Sequence, residues 1–218
     1  MGSKCIAFIG IDNFDIILYL SRILSKLDKK VLIADYSGTE ALTTSIAKPV
    51  GVDCNKNVIT YRKVDFTKLP IADDMYNAYD CILATYGFNS PGEEIKYFNH
   101  VIYVTNLFLH NLVKIEQLES YEVADISLLV RDVAGVKISP NDIATALKKN
   151  IDVEAVSYLH LDETDFTNAI ACQHNQSASF IKISRAMKNY LLNLTYKFYP
   201  DISKEEIKEA YKKARRGV

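Results

Sequence analysis

No tryptophan occurs among the 218 residues, and cysteine and histidine are scarce, with four of each. The cysteines, Cys5, Cys54, Cys81 and Cys172, are widely spaced and form no Cys-x-x-Cys pair, which gives no basis for a structural zinc site or a disulfide framework. Cys5 and Cys81 lie within apolar runs and are expected to be core thiols. His100, His110, His160 and His174 share no metal-ligand spacing, and no Gly-x-Ser-x-Gly nucleophile elbow is present. The 14 tyrosines follow no order that would build a stacking platform for single-stranded nucleic acid. No apolar stretch reaches the roughly 18 residues needed to span a bilayer, and Met-Gly-Ser-Lys leads into an ordinary short apolar run, so the expectation is a cytoplasmic protein. Neither sign of charge dominates. The net charge of -1 argues against a large basic surface and disfavours nucleic acid as a general partner.

What is present is the composition of an ordinary globular chain, 49% hydrophobic and 24% charged, long enough for one sizeable core. Short apolar runs alternate with longer amphipathic ones, the pattern of a mostly parallel, open twisted α/β sheet with helices on both faces. Seven strands are predicted, at Cys5–Ile9, Lys30–Ala34, Asn57–Arg62, Cys81–Thr85, His100–Thr105, Ile126–Asp132 and Glu154–Tyr158. Between the first two, Ile16, Leu20, Ile23, Leu24 and Leu27 form one helical stripe, which makes a βαβ unit. Further helices are expected at Gly38–Ser45, Leu109–Glu119, Pro140–Lys149, Thr164–Cys172 and Ser179–Phe198. The division expected is one α/β domain over residues 1–200 and a polar helical tail over 201–218, with Ser203 as its N-cap.

The informative region is Cys5-Ile-Ala-Phe-Ile-Gly10-Ile-Asp12-Asn13-Phe-Asp15, followed by Val31-Leu-Ile-Ala-Asp35. A strand, a turn, an amphipathic helix and a second strand ending in Asp resemble, in order and spacing, the MinD and ParA family of deviant Walker-A ATPases. Tyr79-Asp80-Cys-Ile-Leu-Ala-Thr85 resembles the strand that in that family ends in the Walker B Asp. Val101-Ile-Tyr-Val-Thr105 and Ser127-Leu-Leu-Val-Arg131-Asp132, with residues 150–160 beyond, resemble later strands, so the likeness runs to about Phe198. It implies a P-loop NTPase-like fold and face-to-face dimers that sandwich ATP. It also implies the recruitment of partners for plasmid or chromosome segregation, division-site placement, or polar placement of pili and secretion systems.

The residues depart from that family where the chemistry lies. A phosphate loop uses glycine-rich backbone amides, Lys for the β and γ charges and Ser or Thr on magnesium. This loop has Gly10 alone, no Lys between Cys5 and Ser25, and the carboxylates Asp12 and Asp15 at the helix start. A carboxylate about 4 Å from a phosphate is repelled by roughly 4 kcal/mol near a protein surface. Thr85 at the Walker B position supplies no charge for a magnesium shell. ATP and ADP are therefore disfavoured as cofactors, no catalytic residue and no metal ligand is nominated, and the chain is read as a pseudo-ATPase. Gly10, Asp12, Asn13, Asp15, Asp35, Thr85 and Gly87 are the vestigial nucleotide-site positions. On the residues alone, Asp12 and Asn13 read as caps of their own helix, and Asp35 as a turn residue before Ser37-Gly38. Asp162, Glu163 and Asp165 read as helix-initiating charge around Thr164, and Asp73 with Asp74 as a turn.

The function expected is a non-catalytic interaction or positioning component of a larger machine, with protein partners and possible homodimerisation through the family's surface. One alternative keeps nucleotide binding, as a switch without efficient hydrolysis, if backbone amides form a nest and the aspartates turn outward. Another treats Gly10 and Asp35 as a Rossmann dinucleotide site of an oxidoreductase, although the second and third glycines of G-x-G-x-x-G are missing. In the terminal helix, Ile207, Ala210, Tyr211 and Ala214 make a thin apolar face beside many lysines. It is expected to be solvated or docked on a partner, with weak membrane or nucleic-acid contact the lesser alternative.

Overall fold

The computed structural model describes residues 3–53, 55–121, 123, 125–135, 137–139, 142–143, 147, 149 and 151–216. Eight strands form one sheet: β1 Lys4–Gly10, β2 Val31–Asp35, β3 Ile59–Tyr61, β4 Val64–Thr67, β5 Cys81–Gly87, β6 His100–Thr105, β7 Asp125–Val133 and β8 Val156–His160. Their order is β3-β4-β2-β5-β1-β6-β7-β8, and only β3 runs antiparallel to its neighbour. The helices among the described residues are α1 Phe14–Lys26, α2 Ala41–Thr44, α3 Met75–Ala78, α4 Leu109–Gln117, α5 Glu163–His174, α6 Arg185–Phe198 and α7 Lys204–Ala214. The helix expected over Pro140–Lys149 falls largely outside the described residues.

Strand alternation sends Ile6 and Phe8 of β1 to one side of the sheet and Cys5, Ala7 and Ile9 to the other. The first set joins a core with α1, α5, α6 and α7, and the second a core with α3 and α4. Both faces are covered, which is why the central strands are near-continuous apolar runs.

Four expectations need correction. There are eight strands, because the segment after Arg62 turns back at once: Arg62 and Lys63 have φ of 53° and 64°, and β4 pairs with β3 through Ile59 and Phe66. A two-residue turn with both φ positive is the twist-matched hairpin turn, usually marked by Asn or Gly, and neither is present. The helix expected from Gly38 is confined to α2, because Asp35 and Ser37 first form a hydrogen-bonded turn. Helix α6 starts at Arg185 rather than Ser179, because Ser184 caps it, its Oγ accepting from Met187 N at 3.0 Å. Asp165 fixes that cap by accepting from Ser184 N and Oγ, each at 2.6 Å.

The fourth correction concerns α7, which is not solvated all round. Its capping box is present, with Ser203 and Glu206 bonded reciprocally. Ile207, Ala210, Tyr211 and Ala214 are buried, and the Tyr211 ring meets Phe180 edge-on at 5.6 Å, which in turn stacks on Tyr19 of α1 at 4.7 Å. Helix α1 thus lies between the sheet and α7. All residues from Asp15 to Ser25 are buried, wider than the single stripe expected. No described helix is long and apolar enough to cross a membrane.

Candidate functional site

The carboxyl ends of β1, β7 and β8, the start of α1 and one side of α5 enclose a cleft of about 210 Å³. Open α/β sheets bind ligands at this edge. Residues 11–13 alone connect β1 to α1. Gly10 has φ +131°, and a Cβ there would lie 1.9 Å from the Val104 carbonyl oxygen, so glycine is required by the close approach of β6. Ile11 N donates to the same oxygen at 2.9 Å, which pins the turn to β6.

Asp15 is 2% exposed and forms a two-pronged ion pair with Arg131, whose Nη1 and Nη2 donate to Oδ1 and Oδ2 at 2.7 and 2.8 Å. Burial alone would push the guanidinium pKa down. The charge and hydrogen bonds of Asp15 outweigh it and raise Arg131 above its ordinary value. Arg131 and Asp132 sit in a bulge of β7, where three steps from Val130 to Val133 face two from Tyr158 to His160. Asp132 takes φ +54° there.

Asp12 accepts from Thr39 Oγ1 at 2.7 Å, which ties the loop after β1 to the loop after β2. Asp35 is fully buried and accepts four bonds, from Ser37 N and Oγ at 3.2 and 2.6 Å and from Thr43 N and Oγ1 at 3.1 and 3.3 Å. It organises its own turn. Thr85 is buried opposite Asp35, and its carbonyl accepts from Tyr36 N at 2.8 Å. Gly87, at φ +58°, packs beside Ser37.

The seven positions therefore divide. Asp12 and Asp15 line the cleft, whereas Asp35, Thr85 and Gly87 lie at the β2–β5 ends and do not. The expectation that Asp12 and Asn13 cap α1 is corrected. Asn13 occupies the N-cap position with φ -144° and ψ 31°, outside the β region from which a side chain turns back to the N2 or N3 amide, and it makes no cap bond. Its Nδ2 is buried without a partner among the described residues. Asp162 does cap α5, its side chain accepting from Thr164 N and Asp165 N at 2.8 and 3.2 Å.

Arg131, Asp132 and Thr39 were not singled out from the sequence as site residues. The sequence separation of 116 between Asp15 and Arg131 leaves no local pattern that would pair them. The cleft is acidic, with Asp12, Asp132, Asp162 and Asp165 besides the paired Asp15, and its walls are apolar, including Phe14, Leu159, Phe166 and Ile170. Burial pushes the Asp165 carboxyl up, the bonds from Ser184 oppose the shift, and the charges of Asp162 and Asp15 add to it.

No family model matches the sequence, and no curated protein matches it. Solved structures do match in fold. A ParA family ATPase from Chlorobium tepidum superposes with a TM-score of 0.64 at 13% identity, over 88% of this chain and 99% of that one. A chain of the MinC:MinD cell division protein complex of Aquifex aeolicus gives 0.65 at 15% identity, over 88% and 96%. The MinD cell division protein of Aquifex aeolicus gives 0.60 at 16%, over 88% and 96%. The chain has the P-loop NTPase-like α/β fold shared by ParA and MinD proteins.

Proposed function

We propose that this chain is a non-catalytic protein of the MinD and ParA fold that acts through protein contacts, as an interaction or positioning component of a larger assembly. The observation that carries the reading is the bidentate Asp15–Arg131 pair at the start of α1. A phosphate at that helix end would be drawn by the amides of the first turn and by any uncommitted cation beside them. Here the first turn holds a carboxylate, and the arginine beside it is committed to that carboxylate. Asp12 adds a second negative charge and accepts from Thr39 Oγ1. Gly10, the loop's one glycine, serves its contact with β6. These residues do not fit a nucleoside triphosphate.

Exposed apolar side chains at the same edge of the sheet support contact with other proteins. Phe108 and Leu109, at the start of α4 just beyond β6, are 64% and 73% exposed, with Val113 one turn on. A fold neighbour is known in the MinC:MinD complex, so the scaffold is compatible with a protein partner.

The test is calorimetric titration of the full chain with ATP and ADP, with and without magnesium, alongside light scattering. No binding up to millimolar nucleotide is expected. Micromolar, magnesium-dependent binding that changes the oligomeric state would replace this reading with a nucleotide switch.

A further inference from the structure

The cleft beside α1 carries more negative charge than its hydrogen bonds account for. Asp15 is paired with Arg131, whereas Asp12, Asp162 and Asp165 meet only neutral donors among the described residues. Asp12 has the Thr39 hydroxyl, Asp162 two backbone amides, and Asp165 the amide and hydroxyl of Ser184. Among the described residues Asp132 accepts no hydrogen bond and is exposed, and it is the chain neighbour of Arg131. Four carboxylates with no ion pair among the described residues thus surround about 210 Å³ of space.

The walls are of the opposite character. Phe166 and Ile170, one turn apart on α5, line the cleft and are 62% and 44% exposed, and Leu161 beside the start of α5 is 61% exposed. Apolar area of this kind rimmed by charge marks a docking surface. The carboxylates are too dispersed for a point cation, since no three His, Cys, Asp or Glu side chains among the described residues converge to hold a metal ion. A small polyamine would satisfy the charge and leave Phe166 and Ile170 uncovered.

We propose that this cleft is a docking site for a segment of a partner protein that presents a lysine or arginine to the carboxylates and a neighbouring apolar side chain to Phe166 and Ile170. The inference rests on the reading of the cleft as closed to nucleotide. It adds the chemistry of the partner: charge complementarity selects a basic segment, and the apolar wall selects an amphipathic one.

The experiment uses the full chain and three probes: a fluorescent 12-residue peptide with Lys and Leu at helical spacing, the same peptide with Glu for Lys, and spermidine. Anisotropy reads the two peptides and calorimetry reads spermidine, at 0.1 and 0.5 M salt. The Lys-Leu peptide is expected to bind saturably in the micromolar range, to weaken at least fivefold at the higher salt, and to bind at least tenfold tighter than spermidine. Phe166→Ser should weaken it about tenfold and Asp132→Asn several-fold, while the Glu-Leu peptide stays unbound. Both positions are exposed, and Asn tolerates the positive φ of Asp132, so the variants should melt with wild type. No saturable binding of the Lys-Leu peptide, binding indifferent to both variants, or spermidine binding as tightly as the peptide would each overturn the proposal. Nucleotide titration of the same sample separates the two claims. Tight ATP binding sinks the reading beneath it, whereas no ATP binding and no peptide binding sink this inference alone.

Discussion

Removing one member of the Asp15–Arg131 pair should cost far more than a surface ion pair would, and the two members should not cost the same. Arg131→Met keeps an apolar stem of similar length but leaves the Asp15 carboxylate, 2% exposed, without its ion-pair partner. Breaking a buried pair in this way costs about 3–5 kcal/mol. Asp15→Asn is milder. The Asn amide oxygen can still accept one bond from Arg131, and the charge of Asp132 still acts on the guanidinium, so the expected loss is about 1–3 kcal/mol. The variant carrying both changes removes the orphaned charge and should be at least about 1 kcal/mol more stable than Arg131→Met alone. For a chain of this length each kcal/mol moves the melting midpoint by about 2–4 °C, so Arg131→Met should melt about 6–20 °C below wild type. Urea unfolding followed by far-UV circular dichroism gives the three differences, with equal m-values as the check that the transition is the same. An Arg131→Met variant within 1 kcal/mol of wild type, or a double variant as unstable as the sum of the singles, would refute the mutual dependence of the buried pair.

Three further outcomes follow from the same geometry. Gly10→Ala puts a Cβ 1.9 Å from the Val104 oxygen and should cost at least about 3 kcal/mol, whereas Gly87→Ala, with 3.7 Å of clearance, meets only the left-handed backbone penalty of about 1–2 kcal/mol; equal melting points would count against the close approach of β6 to Gly10. His100 is pushed down to about 4 from an ordinary 6.5 by burial and by the Lys197 charge, against the pull of Asp125. The unfolded chain then binds more protons between those values, so stability rises with pH across that window. Going from pH 7 to pH 5 should remove up to about 2 kcal/mol that His100→Gln does not lose, and parallel pH profiles would refute it. Ile207→Ala, at a position 2% exposed, should lower the single main unfolding transition by about 2–4 kcal/mol; a change confined to helix content would mean that α7 frays independently.

Much of this fold is legible from hydrophobic runs because parallel strands buried on both faces leave little room for polar residues. Cys81–Thr85 and His100–Thr105 are of this kind, and β5 only extends the first to Gly87. Strand β4 was not legible. Four residues, Val-Asp-Phe-Thr, follow a turn whose positive φ angles fall on Arg62 and Lys63, where composition gives no sign of them. The start of α6 was hidden for another reason, since Ser184 is fixed as a cap by Asp165, 19 residues earlier. At the site, the strand, turn and helix placed Asp12 and Asp15 correctly at the head of α1. Their partners came from Thr39 and Arg131, which share no sequence neighbourhood with them, so local capping was the natural and mistaken inference for Asp12 and Asn13.

The start of α1 explains how this scaffold can dispense with an anionic ligand on the reading proposed above. A helix N-terminus carries partial positive charge and unsatisfied amides, and this is what makes the same place in P-loop proteins a phosphate site. Asp15 in the first turn supplies negative charge covalently, at no translational entropy cost, and so meets much of that electrostatic demand from within the chain. A buried carboxylate needs its own counter-ion, which the β7 bulge provides in Arg131. With the pair closed, the cleft's arginine is committed to Asp15, and on the proposed reading the remaining carboxylates turn the field of the cleft towards cations. On that reading the work is divided: the Asp15–Arg131 pair takes the arginine out of an anion's reach, and the other four carboxylates set the sign of what the crevice selects. If so, Asp15→Asn alone should not create nucleotide binding, because Asp12, Asp132, Asp162 and Asp165 remain around the cleft. Micromolar ATP affinity in that single variant would show that Asp15 by itself, and not the field of the whole cleft, sets the selection.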